Sequence, residues 1–265
     1  MINIFYKTIP TKKLNGSLFY CFEYFAYLFT FTDVQLHIQG HSENDVEMFK
    51  EVFKDRYDFN HDMLNDIKEI KKTTDVFKIE GDKSLFLDYH SFDSFYLLVK
   101  NDIFVYKNKE FRNYSSDKNI TYFGYYDYQS GYDIKEKLKF NFSIYKDIDE
   151  DIYTDVAYVS SPGIEYNKIL DDIDIKEPTI LTKDVYKHKT NLFESFDTLY
   201  YYHVGKRDVN NRLIPECFYY DKSITLIDDG YQEDSVYLRY SDILENGLDG
   251  YTLSRQDKLI KALLA

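Results

Sequence analysis

One continuous stretch, Phe196 to Asp228, restricts the fold more than any other part of this chain of 265 residues. Thr198 to Val204 is rich in β-branched and aromatic residues, a composition typical of a buried strand. The polar segment Gly205 to Asn211 follows, and Pro215 then suits the first position of a helix, where its missing N–H costs nothing. Ser223 to Ile227 again has strand composition. The stretch therefore predicts a strand, a loop, a short helix and a strand, which is the repeating pattern of an α/β sheet.

The N-terminal part of the chain shows the same alternation. Ile2 to Tyr6 and Val34 to Gln39 have strand composition, and a helix from Ser17 to Leu28 is predicted between them, with Ser17 as its cap. Asn44 to Phe53 follows as an amphipathic helix. This order predicts a doubly wound α/β sheet.

The middle of the chain is less regular. Phe77 to Ile79 is a predicted short strand, and Lys137 to Ile144 is another because its apolar residues alternate. The charged run from Lys146 to Asp155 marks the predicted boundary, and a second α/β series begins after it. We therefore predict two domains, residues 1–150 and 151–265.

Charge and composition limit the function classes. The net charge of −13 and the pI of about 4.9 argue against a surface that as a whole attracts nucleic acid or anionic membranes. The 28 tyrosines, the frequent lysine and the 4 prolines are typical of coding in an AT-rich genome, such as that of a phage, a virus or a small-genome bacterium.

Three further features bear on the location of the protein. The apolar segment Leu18 to Phe31 is short for a membrane span and is interrupted by Glu23, so it predicts a buried helix. The N-terminal sequence has the pattern of a strand rather than a signal peptide. Cys21 and Cys217 lie far apart in aromatic surroundings, and we expect both to be buried free thiols. These features predict a cytoplasmic protein.

Basic side chains cluster where the first predicted strand of the opening stretch ends. Lys206, Arg207 and Arg212 follow that strand, and Glu216 lies in the first turn of the next helix. In open α/β sheets ligands bind at the carboxyl ends of the strands, and a helix N-terminus favours an anion. The alternative for each basic residue is an ordinary solvated loop, and for Glu216 a side chain that serves only the helix dipole.

The same residues carry a resemblance to a known family. Arg212, Glu216 and the residues after them (RLIPECFYYDKSITLI) resemble the donor-binding region of nucleotide-sugar glycosyltransferases with the B-type fold. The segments Asp234 to Ile243 and Tyr251 to Leu264 are similar to the tail of that family. The resemblance covers roughly the last quarter of the chain. It implies two Rossmann-like domains facing a central cleft, an N-terminal acceptor-side domain and a C-terminal domain that binds the nucleotide sugar.

The resemblance also implies roles for individual residues. Glu216 would bind the ribose hydroxyls, and the basic residues would neutralise the diphosphate as the glycosidic bond breaks. Gly16 and Ser17 would bring backbone N–H groups of the first loop against the diphosphate, with Gly16 facing Arg212 across the cleft. The implied donor-binding residues are Gly16, Ser17, Lys183, Lys206, Arg207, Arg212, Glu216, Asp234 and Ser235.

The catalytic base is left open by the sequence. His41, His90, Asp93 and Asp127 each follow a predicted strand in the N-terminal half, and at most one of them would be the base. The alternative interpretation of each of these residues is a purely structural role.

Metal and cofactor motifs give little support to other enzyme classes. The Asp-Ile-Asp sequences at residues 147–149 and 172–174 resemble the metal-binding pair of A-type glycosyltransferases, but neither clearly follows a strand. GxxxxGK[ST], HExxH, GxSxG and paired CxxC motifs do not occur. We predict that no metal and no cofactor is required besides the donor substrate.

Two functions therefore stand at this point. The first is a glycosyltransferase acting on a glycan, a protein or a modified base of phage DNA, although the acidic charge argues mildly against duplex DNA. The second is a non-catalytic, tyrosine-rich binding module or a degenerate transferase that keeps only the fold.

Overall fold

The computed structural model describes residues 1–8, 14–87, 99, 101–106, 119–124, 131–148, 156–160, 179–180, 192–203, 211–228 and 235–265. These residues form an α/β protein that divides into two compact units. Unit 1 comprises Met1–Tyr145 together with Tyr251–Ala265, and unit 2 comprises Lys146–Gly250.

Unit 1 is built on a sheet of seven described strands in which every neighbouring pair is parallel. The strands are β1 (Ile2–Lys7), β2 (Val34–Gln39), β3 (Ile67–Glu69), β4 (Lys83–Phe86), β5 (Asp102–Tyr106), β6 (Ile120–Gly124) and β7 (Ile134–Lys135). Their order is β3-β2-β1-β4-β5-β6-β7, so the chain winds outward from β1 in one direction and from β4 in the other. This is the doubly wound arrangement that the N-terminal alternation predicts, and its switch point lies between β1 and β4.

The two faces of this sheet are covered by different parts of the chain. Helices α1 (Gly16–Phe29) and α2 (Asp45–Arg56) follow β1 and β2, and Tyr6 of β1 packs edge-on against Phe49 of α2 at 6.4 Å. The opposite face carries Phe5, which stacks on Phe86 at 5.1 Å within a buried apolar cluster. Covering both faces explains why β1 buries five successive residues, Ile2 to Tyr6, rather than every second one.

Helix α1 begins with an asparagine cap and not with the predicted serine. Asn15 is extended, and its Oδ1 accepts a hydrogen bond from the backbone N–H of Leu18 at 3.1 Å. Ser17 is the second residue of the helix. Asparagine and serine are both good caps, so composition alone did not decide between the two positions.

Two predicted strands of the middle region are wrong. Thr73–Lys78, which includes Phe77, is a 3-10 helix. In Lys137 to Ile144 the structure has an isolated bridge at Phe140 and a short 3-10 helix, Phe142–Ile144. The alternation there arises because Leu138, Phe140 and Phe142 each bury a side chain without a continuous ladder of hydrogen bonds.

Unit 2 contains a smaller parallel sheet with four described strands. They are β8 (Val156–Ser160), β9 (Thr179–Ile180), β10 (Thr198–His203) and β11 (Ser223–Asp228), in the order β11-β10-β8-β9. The described helices of this unit are α3 (Leu213–Tyr219) and α4 (Ser235–Asn246). Because the chain passes from β8 to β9 and then returns to β10, a second switch point lies between β8 and β10.

The opening stretch of the sequence folds as predicted into β10, α3 and β11. Helix α3 begins at Leu213, two residues before the predicted start at Pro215. Proline fits at this third position because the first four N–H groups of a helix have no intrahelical acceptor. The prediction therefore had the correct element and the wrong first residue.

The last 15 residues, Tyr251–Ala265, belong to unit 1, whereas the predicted boundaries put them in the second domain. Phe140 exchanges backbone hydrogen bonds with this segment, donating to Tyr251 at 2.7 Å and accepting from Leu253 at 2.8 Å. Glu136 accepts from the first N–H groups of helix α5 (Lys258–Leu264), and Lys83 Nζ donates to the carbonyl of Ala262 near its end. These bonds join residues more than 100 positions apart, which no local pattern reveals.

Helix α1 also accounts for the apolar N-terminal segment. Ten of its 14 residues are buried. Across the part of the chain that the structure describes, none of the helices has the length and apolarity needed to cross a membrane.

Candidate functional site

The predicted donor-binding stretch borders the switch point of unit 2. It follows β10, which with β8 flanks that switch point. Of its charged residues, Lys206 and Arg207 lie outside the described residues, while Arg212 and Glu216 lie within them. Lys183 and Asp234 are likewise outside, and Ser235 is the first residue of α4.

Arg212 and Glu216 form a buried ion pair at the start of α3. The Nη2 atom of Arg212 donates to Oε1 of Glu216 at 2.9 Å, and the two side chains are 4% and 0% exposed. Their spacing of four residues places them on the same side of the helix. Because each charge is removed from water, loss of either partner would leave the desolvation cost of the other less fully offset.

A wider hydrogen-bond network holds this pair in place. Asn211 caps α3 by accepting from the N–H of Ile214 at 2.9 Å, and its Nδ2 donates to the hydroxyl of Tyr201 in β10 at 2.9 Å. Nη1 of Arg239, in α4, donates to the backbone carbonyl of Asn211. The network thus ties β10, α3 and α4 together around the residue that precedes Arg212.

Sequence reasoning missed Asn211, Tyr201 and Arg239. An asparagine shortly before a predicted helix is a recognisable cap signal, so Asn211 could have been found. Tyr201 and Arg239 reach it only through tertiary packing, which the local sequence does not encode. Arg239 adds a second guanidinium to the region, and guanidinium groups match the geometry of phosphate oxygens.

The chemical state of Cys217 follows from this environment. Burial raises the pKa of the Cys217 thiol well above its usual value, and the negative charge of Glu216 raises it further. The thiol is therefore protonated and serves as an apolar side chain, as the sequence analysis expected of a buried free cysteine.

The predicted role of Glu216 imposes a specific geometric condition. A carboxylate that binds ribose hydroxyls must be reached by them, and in this structure Glu216 is enclosed and bonded to Arg212. The direct effect of this carboxylate is to fix the position of the Arg212 guanidinium. Ribose binding by Glu216 stays a prediction.

The other predicted donor-binding residues lie in unit 1 at the start of α1. Gly16 and Ser17 are its first two residues, and they follow β1 at the switch point of the larger sheet. Asn15, immediately before them, donates from Nδ2 to the hydroxyl of Tyr6 at 2.8 Å. Gly16 and Arg212 belong to different units, so the prediction that they face each other stays a prediction.

Among the candidate bases, only His41 falls within the described residues. It is exposed and follows β2, and its backbone N–H donates to Oδ2 of Asp45 at 2.7 Å. His41 therefore lies at the carboxyl edge of the sheet, one strand away from β1. His90, Asp93 and Asp127 lie outside the described residues.

Within the described ranges, no group of three or more His, Cys, Asp and Glu side chains is arranged to hold a metal ion. Comparison with known proteins adds no assignment, since neither a protein-family model, nor a curated protein, nor a solved structure matches this chain significantly.

Proposed function

We propose that this protein is a glycosyltransferase that moves a sugar from a nucleotide-sugar donor to an acceptor. The observation that carries the proposal is topological. The stretch that resembles a donor-binding region follows β10, a strand that borders the switch point of a parallel sheet. Ligands of open α/β sheets bind at such points, so the strand order supports the function that the sequence resemblance implies.

We assign the diphosphate to Arg212, whose side chain is 4% exposed, so that a donor contacts it only if the residues that cover it move aside. During transfer, the bond between the anomeric carbon and the diphosphate oxygen breaks, and its electron pair stays on the diphosphate. A guanidinium that is already fixed in position stabilises this charge without reorganising at the moment of reaction. Glu216 supplies that fixation through its bond of 2.9 Å to Arg212.

The acceptor forms the new bond to the anomeric carbon and loses its proton to a base. His41 is the candidate that the structure describes, exposed at the carboxyl edge of the first sheet. His90, Asp93 and Asp127 remain the other candidates. A glycan, a protein or a modified base of phage DNA are the acceptors that the proposal includes, and the net charge of −13 disfavours close contact with duplex DNA.

A thermal-shift panel of nucleoside diphosphates and nucleotide sugars tests the proposal. A ligand that binds only the native state raises the melting temperature, by an amount that grows with its concentration above Kd. We expect the diphosphate of one nucleoside to raise the melting temperature more than the others do, and its sugar conjugate to bind as well. The proposal fails if no nucleotide shifts the melting temperature at millimolar concentration.

The enclosure of Glu216 supports a second candidate, a degenerate transferase that keeps the fold without catalysis. In that case the Arg212–Glu216 pair is a structural element of α3, and neither residue contacts a ligand. This candidate predicts that nucleotides leave the melting temperature unchanged, while substitution of either residue lowers it.

A further inference from the structure

Thr8, directly after β1, has a buried hydroxyl that no described residue hydrogen-bonds. The residue is 6% exposed, and its Oγ1 atom has no hydrogen-bond partner within the described part of the chain. Its backbone N–H donates to the carbonyl of Gln39 at 3.0 Å, so the position of the residue is fixed by the sheet. Buried hydroxyl groups in folded proteins are almost always hydrogen-bonded, so an exception requires an explanation.

The direction of the Thr8 side chain follows from the geometry of the strand. Successive side chains of a strand point to opposite faces, so Thr8 shares a face with Tyr6. The Tyr6 hydroxyl accepts a hydrogen bond from Asn15 at 2.8 Å, and Asn15 is the cap of α1. Thr8 therefore projects from the end of β1 on the side where α1 begins.

The start of α1, the helix that follows β1 in the chain, supplies further donors. The Asn15 side chain accepts a hydrogen bond from the N–H of Leu18 at 3.1 Å, and the first turn carries no acidic residue. The N–H groups of Gly16 and Ser17 have no acceptor within the helix, since they belong to its first turn. The helix dipole adds positive potential at this end of α1, which is long enough, at 14 residues, to develop it.

We propose that Thr8 is a direct ligand of a phosphate group bound at the N-terminus of α1. The Thr8 hydroxyl and the N–H groups of Gly16 and Ser17 would donate to three phosphate oxygens. The site lies at the switch point between β1 and β4, where a doubly wound sheet binds its ligands. Gly16 and Ser17 are also implied to contact the donor diphosphate, so this inference rests on the proposed function and adds Thr8 to that site.

Two kinds of molecule could supply this phosphate group: a nucleotide, or a smaller phosphate compound that has no nucleobase. Both present the same acceptor oxygens, and the experiment distinguishes them by comparing uridine and adenosine diphosphates with inorganic phosphate and pyrophosphate. Tighter binding of one nucleoside diphosphate than of pyrophosphate assigns a nucleotide. Equal affinity for pyrophosphate and the nucleotides assigns a smaller phosphate compound without base recognition.

The decisive variants are Thr8→Val, which removes the hydroxyl at nearly constant volume, and Thr8→Ser, which keeps it. Thr30→Val is the matched control, because Thr30 follows the other end of α1 and its hydroxyl donates to the carbonyl of Tyr27 at 2.8 Å. Calorimetric titration of all four probes gives the affinities. The melting temperature of each unliganded variant reports the effect on stability.

We expect Thr8→Val to weaken phosphate binding by roughly tenfold to a hundredfold, the range for a hydrogen bond to a charged group. Thr8→Ser and Thr30→Val should bind like the wild type. Without ligand, Thr8→Val should melt at the same temperature as the wild type or higher, because it removes a buried hydroxyl that lacks a partner. A purely structural hydroxyl predicts the opposite pair of results, a lower melting temperature and unchanged affinity.

The proposal is overturned if Thr8→Val binds the probes as tightly as the wild type, or if the wild type binds none of them. The outcome for the transferase is separable. Binding of inorganic phosphate that depends on Thr8, with no preference for any nucleotide, would support this site and count against the transferase. Nucleotide binding that depends on Arg212 but not on Thr8 would do the reverse.

Discussion

A buried histidine in the first sheet gives the protein a pH-dependent stability that can be measured. His37 of β2 is 4% exposed and stacks on Phe5 at 5.1 Å. Its Nε2 lies 2.9 Å from Oδ1 of Asn3, whose Nδ2 donates to the carbonyl of Glu80. Burial lowers the pKa of His37 from 6.5 to about 4, and the positive charge of Lys68 contributes to the same shift.

The sign and size of the effect follow from linkage. Between pH 6.5 and about pH 4, the unfolded chain binds a proton on His37 that the folded chain does not. The unfolding free energy therefore falls as the pH falls through this window, and the stabilisation is fully present above pH 6.5. A difference of about 2.5 units in pKa corresponds to about 3 kcal/mol.

The substitution His37→Gln removes the titration and keeps an amide that can donate to Asn3. Urea unfolding at several pH values from 7 to 4, followed by circular dichroism, gives the unfolding free energy of each protein. The wild type should lose about 3 kcal/mol more than His37→Gln over this range. His41→Gln is the control for replacing a histidine with glutamine, because the His41 side chain is exposed. Parallel curves for the wild type and His37→Gln would refute the reasoning.

Two further predictions concern buried carboxylates. The hydroxyls of Tyr57 and Tyr145 donate to Oε1 of the buried Glu23 at 2.7 and 2.8 Å, so Tyr57→Phe and Tyr145→Phe should each lower the unfolding free energy by about 1.5–3 kcal/mol in urea titrations. Glu216→Gln removes the negative charge that is paired with the buried Arg212 guanidinium and should cost about 3–5 kcal/mol, seen as a large fall in melting temperature. If Glu216 only bound ribose and took part in no structural pair, the substitution would instead lower donor affinity and leave the melting temperature nearly unchanged.

The controls for these substitutions are exposed residues of the same types. Tyr237→Phe, on the surface of α4, should change the unfolding free energy by less than about 0.5 kcal/mol. Glu47→Gln breaks the exposed pair with Lys50 at 2.8 Å and should cost less than about 1 kcal/mol. Losses from Tyr57→Phe or Glu216→Gln no larger than those of the controls would contradict the predictions.

The elements that the sequence predicts well are those specified locally. In β10, α3 and β11, aromatic and β-branched runs are separated by polar residues, and each part keeps its predicted type. The same holds for β1, α1, β2 and α2, where the change from strand to helix composition is clear. Local composition is a good guide in β1 because this strand is buried on both faces, which leaves a nearly continuous apolar run from Ile2 to Tyr6.

Features that depend on distant contacts could not be predicted. The alternation from Lys137 to Ile144 gave no strand, because its apolar residues pack against α1 and the returning C-terminal segment. The bond from Arg239 to Asn211 and the enclosure of Glu216 by Arg212 likewise depend on tertiary packing. At the candidate site, the charged residues could be identified from the sequence. How the described ones are paired is seen only in the structure.

The central claim is that Arg212 binds the diphosphate of a nucleotide sugar, and calorimetric titration of Arg212→Lys tests it directly. Lysine keeps the positive charge and loses the planar fork that binds two phosphate oxygens at once. Arg255→Lys is the matched control, since Arg255 of unit 1 stacks on Phe31 at 4.5 Å and has no place in the proposed site. We predict that the wild type and Arg255→Lys bind the preferred nucleoside diphosphate equally, and that folded Arg212→Lys binds it at least about tenfold more weakly. Wild-type affinity in folded Arg212→Lys would contradict the account.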